Sequence, residues 1–185
     1  MSTYVFRKPK RPVTKVFLHC SASDNPEHDN VATMDAWHKL NGWAGVGYHL
    51  FIRKSGLVEV GRDLEKVPAA QAGHNTGSIA ICLHGLARLK FTEAQFKALL
   101  AICRQINEAY DGNVTFHGHC EVAAKACPVF DYRTVLGLSA SGKLPRGGVN
   151  AVVSKVEVPD IAHLEAPDMR TSVLSIGAKG SAVED

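Results

Sequence analysis

Residues 14–19 read TKVFLH, and the reading of this stretch decides the fold. Successive side chains of an extended chain point to opposite faces. Val16, Phe17 and Leu18 are all apolar, so both faces of this stretch are apolar. Such a strand belongs in the interior of a sheet that is covered on both sides. It ends in a histidine, His19, followed by Cys20 and a polar turn, SASDNPEHD.

Working outward from it, NVATMDAWHKLNG reads as a short helix, with Asn30 or Thr33 at its start and Gly42 as its stop. YHLFIRKSGLVEVGR reads as a hairpin with Ser55 and Gly56 at the turn. SIAICLHG (78–85) is a further buried strand. FTEAQFKALLAICRQINEAY carries the clearest helical signal: Thr92 and Gln95 make a capping box, and Phe96, Leu99, Leu100, Cys103, Ile106 and Tyr110 recur at helical spacing. NVTFHGH is another strand, and DYRTVLGL a short closing helix. Interleaved strands and helices predict an α/β domain: a central mixed β-sheet flanked by helices. No internal repeat is visible.

A chain of 185 residues suffices for one domain and an appendage. The net charge of +3 is too small to imply a nucleic-acid partner. Five basic residues (Arg7, Lys8, Lys10, Arg11 and Lys15) cluster at the start, interrupted by Pro9 and Pro12. They read as a solvated N-terminal arm over 1–12. No apolar run is long enough to span a membrane, and no signal peptide is recognisable. Five cysteines without a signal peptide fit reduced thiols better than disulfides. Cys82 and Cys103 read as small core residues, whereas Cys127 lies in a polar loop before Pro128.

That loop, HGHCEVAAKACP (117–128), concentrates coordinating chemistry. Zinc prefers cysteine thiolate and histidine nitrogen, and catalytic zinc keeps three protein ligands with one open position. A histidine of the loop and Cys127 supply two donors, with His117 and His119 both candidates. The third must come from elsewhere, and His19, at a strand end, is the natural source. By strand alternation Cys20 then faces away from the site.

FLHCSAS, WHKLNGW, VGYHLFIRKSGLVEVGR, HNTGSIAICLHG and HCEVAAKACPVFD occur in this order. Together they resemble the type-2 N-acetylmuramoyl-L-alanine amidases, the family of the T-odd phage lysozyme and the peptidoglycan recognition proteins. The phage endolysin branch is the most similar. The resemblance covers about residues 13–138 and implies a zinc amidase domain there, with its zinc site at the sheet edge. It implies a Zn2+ ion held by His19, His119 and Cys127, and catalytic roles for Tyr48 and Lys125. Zinc activates water and polarises a carbonyl, a lysine beside it stabilises an oxyanion, and a tyrosine orients the water or shuttles a proton. The implied substrate is peptidoglycan, cut at the amide between the lactyl group of N-acetylmuramic acid and L-alanine of the stem peptide.

Each neighbouring residue has a plainer reading. His117 is the rival ligand to His119. Cys120 reads as packing or surface, and Glu121 as a local hydrogen-bonding group. Asp131 is a support for the ligands or a helix cap. Trp37 and His38 read as helix packing, and His49 as lining a face away from Tyr48. His28 and His163 read as exposed loop residues. Gln71-Ala72 stands where many relatives carry histidine-alanine, a departure expected to alter groove contacts, with His74 as a partial replacement. His84 is expected to face the cleft.

Beyond Leu138 the chain is rich in Ser, Gly and Pro and reads as a linker over 139–168. Residues 169–185 are a flexible tail, or the truncated start of a domain similar to the helical peptidoglycan-binding module. The expectation is therefore a monomeric, bacteriolytic phage endolysin that binds neither nucleic acid nor membrane. It accumulates in the host cytoplasm before reaching the cell wall. A non-catalytic peptidoglycan-binding module and a cytoplasmic wall-recycling amidase are the alternatives. The resemblance also raises a polymerase-inhibitor role, for which no residue gives a basis.

Overall fold

The computed structural model describes residues 4–87 and 90–145. The last part of the expected linker, the 169–185 tail and His163 lie outside the described residues. Five strands form one sheet: β1 (Lys15–Cys20), β2 (Leu50–Ile52), β3 (Val58–Val60), β4 (Ser78–Leu83) and β5 (Thr115–Gly118). Their order is β3-β2-β4-β1-β5. β1 runs parallel to β4, with His19 opposite Cys82, and parallel to β5, with Leu18 opposite Gly118. β2 is parallel to β4, and only the β2–β3 hairpin is antiparallel. This is the expected mixed sheet, with 14–19 as an interior strand.

Among the described residues, three α-helices cover it: α1 (Val31–Leu40), α2 (Glu93–Ala109) and α3 (Tyr132–Leu136). Val16, Leu18, Ile79, Ile81 and Leu83 form one core with Leu99, Ile102, Cys103 and Ile106 of α2. Phe51 and Cys82 point the other way, into a smaller core with Met34 of α1 and Val46. Tyr48 and Trp37 pack against this second core. Fully burying each large apolar side chain contributes about 1.5–3 kcal/mol, and β2 and β4 anchor both layers.

Local signals set the boundaries. The Thr92 hydroxyl accepts from Gln95 N at 3.1 Å, and Gln95 Oε1 accepts from Thr92 N at 3.0 Å. Gln95 also donates to Ile52 O and His84 O, so the cap staples α2 to the sheet. Asn30 caps α1 by accepting from Thr33 N. Glu59 of β3 accepts from Val31 N at 2.7 Å, setting a carboxylate at the helix N-terminus. The hairpin turns at Gly56, whose φ is +82° and where a Cβ would lie 2.8 Å from Ala94 O. Both facts require glycine. Asp131 proves to be the cap of α3, accepting from Thr134 N at 3.1 Å.

The basic N-terminal segment is not a solvated arm. Phe6 and Val13 are buried, Phe6 N donates to Gln105 of α2, and the Lys8 ammonium sits 4.5 Å above the Tyr110 ring. Arg11 donates to Leu64 O and to Ser78 O, tying the segment across the sheet. Phe6, Pro9 and Val13 are buried among the basic residues, so the run of charge hid apolar positions that pack against the domain. At the other end, Phe116 N donates to Gly142 O and Leu144 is buried, so the folded unit continues past 138. Among the described residues no helix is long and apolar enough to cross a membrane.

Candidate metal centre and active site

The carboxyl ends of β1 and β5 bring the site together. β1 delivers His19, which is buried at 1 % exposure. β5 ends at Gly118 and turns directly into a 3-10 turn, His119–Glu121. A Cβ at position 118 would meet the Tyr132 ring at 2.6 Å and Pro128 at 3.0 Å, so the close approach needs glycine. The chain then curls back on itself. Val122 N and Ala123 N donate to His119 O, Cys127 N donates to Lys125 O, and Cys120 N donates to Cys127 O at 2.7 Å. The Cys127–Pro128 peptide is cis.

The result is a three-donor cluster. The metal-binding atoms of His19, His119 and Cys127 all lie within 4.8 Å of one another. His19 Nδ1 stands 3.9 Å from Cys127 Sγ, and the two imidazole centroids are 4.7 Å apart. Two nitrogens and one sulfur brought together in this way are a donor set that suits zinc.

Protonation agrees with that use. Burial, with the neighbouring His119 and Lys125 charges, lowers the His19 pKa to about 3. Burial and Lys125 lower that of His119. Both rings are therefore neutral near neutral pH, the form that coordinates metal. The adjacent Cys20 thiol and burial push the Cys127 thiol up, an effect that a bound dication reverses.

Tyr48 packs its ring 5.1 Å from that of His19. Burial holds its hydroxyl well above the ordinary phenol value, so it stays protonated. Lys125 is exposed, and its charge is felt by both imidazoles. His38 accepts from Gly47 N and packs edge-on against Trp43 and tilted against Tyr48, with ring centroids 4.8 and 5.5 Å away.

Several sequence expectations change. His117 does not join the donors: it contacts Glu121 at 2.6 Å and Thr115 at 2.7 Å. The strand ends at Gly118, so alternation no longer relates positions 117 and 119. Glu121 binds locally as expected, taking the Tyr132 hydroxyl as well as His117. Cys20 does not stand apart from the site. Its N–H donates to Cys127 Sγ at 3.4 Å, and its sulfur lies 3.9 Å from that atom. The Cys127 loop closes over the end of β1, where it is reached from either face. His84 does not face the cleft but is fully buried, with Nδ1 3.0 Å from the Ser21 hydroxyl. His28 is partly buried against Trp37, with centroids 4.3 Å apart.

Gln71 departs furthest from expectation. It lies beneath the cluster rather than in a groove, fully buried, with Oε1 3.0 Å from His19 Nε2. His74 is exposed beside Phe17 and replaces nothing at the cluster. The loop's composition, AAQAGHN, gave no sign of this contact across 52 residues.

Comparison with known proteins gives a consistent picture. A family model described as N-acetylmuramoyl-L-alanine amidase matches residues 9–130. The chain is 37 % identical over 132 residues to an endolysin of Enterobacteria phage T3, covering 68 % of this chain and 87 % of that protein. It is 38 % identical over 130 residues to an endolysin of Klebsiella phage KP32, covering 67 % and 85 %. Among solved structures, N-acetylmuramoyl-L-alanine amidase LysC from Clostridium intestinale URNW superposes with a TM-score of 0.62 at 26 % identity, covering 74 % of this chain and 93 % of that one.

Proposed function

The chain belongs to the N-acetylmuramoyl-L-alanine amidase family and is an amidase of peptidoglycan; from that premise we propose a zinc-dependent phage endolysin whose working residues are His19, His119, Cys127, Tyr48 and Lys125. The bond cut is the amide between the lactyl group of N-acetylmuramic acid and L-alanine of the stem peptide. The observation that carries the reading is the convergence of two neutral imidazoles and one thiol within 4.8 Å at the carboxyl ends of β1 and β5.

His19, His119 and Cys127 would hold the ion. When bound, zinc supplies Lewis acidity, polarising a carbonyl and acidifying water towards a pKa of about 7. The remaining work falls to the chain's own groups. The Lys125 ammonium, whose charge reaches both imidazoles, would place positive charge where the carbonyl oxygen becomes negative. The Tyr48 hydroxyl, protonated and fixed by the His19 and His38 rings, holds the attacking water in line and passes a proton. The Cys20 N–H favours the thiolate form of Cys127 by donating to its sulfur.

The test is product analysis. Purified peptidoglycan is incubated with zinc-loaded protein and with chelator-stripped protein, and the products are read by mass spectrometry. Free stem peptides beginning with L-alanine, lost on stripping and restored by zinc, are expected. Intact peptidoglycan that retains the zinc-loaded protein would instead make the chain a wall-binding module. Cleavage restricted to small soluble wall fragments would make it a recycling amidase.

A further inference from the structure

The loop between β3 and β4 contributes a buried side chain that reaches His19 of the metal centre. Gln71 is fully buried, and its surroundings determine which way its amide points. The Ser78 hydroxyl lies 2.7 Å from Asn75 O. A carbonyl only accepts, so the single hydroxyl hydrogen of Ser78 is committed to it. Towards Gln71, also at 2.7 Å, Ser78 Oγ offers only lone pairs. The NH2 end of Gln71 must therefore face Ser78, and Oε1 must face His19 Nε2 at 3.0 Å. Since Oε1 only accepts, Nε2 carries the hydrogen. The lone pair is left on Nδ1, which stands 3.9 Å from Cys127 Sγ.

We propose that Gln71, backed by Ser78, is a positioning residue that locks His19 in the tautomer whose free nitrogen, Nδ1, faces the metal. The proposal rests on the reading of His19 as a metal ligand.

The loop is built to hold this amide still. Ala70 N and Gln71 N both donate to Asn75 Oδ1, at 3.1 and 3.0 Å. His74 N donates to Gln71 O at 2.9 Å, and Ser78 N to Asn75 O at 3.2 Å. Arg11 then fixes Ser78 itself through its carbonyl at 2.8 Å. An unlocked imidazole presents a hydrogen to the metal in one of its two tautomers and must first exchange it. A locked one presents its lone pair at once. The partner is also a neutral amide, so it orients His19 without adding the negative charge that a carboxylate partner brings to a metal centre.

The experiment uses three variants of the full chain. Gln71→Met keeps the length and removes the acceptor, Gln71→Glu keeps an acceptor, and Ser78→Ala removes the group that orients the amide. Zinc affinity is measured by competition with a chromophoric chelator, and the His19 tautomer by imidazole 15N shifts in the metal-free wild type. Gln71→Met is expected to bind zinc about 10–100-fold more weakly, Ser78→Ala to show a smaller loss, and Gln71→Glu to bind at least as tightly as wild type. His19 is expected to show a protonated Nε2 and an unprotonated Nδ1. Gln71→Met affinity within about twofold of wild type, or a hydrogen on His19 Nδ1, would overturn the proposal. If Gln71→Met does not fold, the wild-type tautomer and Ser78→Ala still decide it. A wild type that binds no zinc defeats the metal reading instead, and leaves the tautomer measurement to judge Gln71 alone.

Discussion

His19 and His49 occupy two regions of one sheet and look alike by burial, at 1 % and 0 % exposure. Burial lowers both, to a pKa of about 3 for His19 and about 4 for His49. Their hydrogen bonds separate them. His49 spends both ring nitrogens on backbone: Nδ1 accepts from Ala80 N, and Nε2 donates to Lys66 O, each at 3.0 Å. His19 spends only Nε2, on Gln71, and turns Nδ1 towards another imidazole and a thiol. A histidine whose nitrogens are both satisfied is part of the frame. One left with a lone pair beside other donors is available to a metal.

Variants at the two histidines break that comparison most forcefully. His19→Ala should abolish zinc binding and peptidoglycan hydrolysis while the metal-free chain remains folded by circular dichroism. His49→Leu should keep zinc stoichiometry near wild type but lose about 3 kcal/mol in urea unfolding, because the Ala80 N–H and the Lys66 carbonyl lose their partner inside the protein. A His49 variant that lost zinc while staying stable would erase the distinction.

Lys125→Ala should cut turnover by about 10²–10³-fold without changing zinc content, as loss of a group that stabilises developing charge does. Zinc loss in that variant would move Lys125 from chemistry to structure. Tyr48→Phe should retain zinc and lower turnover by about 10²-fold, with wild-type rates refuting the role of its hydroxyl.

The pH dependence of stability sharpens the comparison further. His49 titrates near 4 when folded against 6.5 ordinarily, so on acidification the unfolded chain takes up its proton first. Its contribution to stability is complete above pH 6.5, falls as pH drops from 6.5 to 4, and levels off below, a loss of about 3 kcal/mol. His49→Leu should flatten part of this slope in metal-free protein, and His19→Ala a further part that extends to lower pH. The smallest effect belongs to Thr92→Ala, which removes the cap of α2 and should cost about 1 kcal/mol with hydrolysis unchanged.

The frame was the more legible half of the molecule. Apolar side chains on both faces of 14–19, the capping box at Thr92 and Gln95 and the turn at Gly56 are local patterns, and local patterns survive in a sequence. The donors were legible only through motif order, because His19 and Cys127 are 108 residues apart. What stayed hidden depended on three-dimensional closure. Gln71 sits in a loop with no periodicity, and nothing near it marks His19 as its partner. Alternation along β1 set Cys20 away from the site, yet the loop that folds over the strand's end brings Cys127 Sγ within 3.9 Å of its sulfur. The N-terminal segment showed its charges, while Phe6, Pro9 and Val13 among them bury.

The pairing of β1 has a consequence for how the protein comes to exist. Its neighbours are β4 and β5, so Lys15 meets Ser78 on one side and Thr115 on the other. Contacts this distant in sequence form late, after a large loop has been closed. His19 stands at the end of β1, and its companion donors join it only when β5 and the loop after it dock beside that strand. The pairing that closes this side of the sheet therefore also completes the donor set.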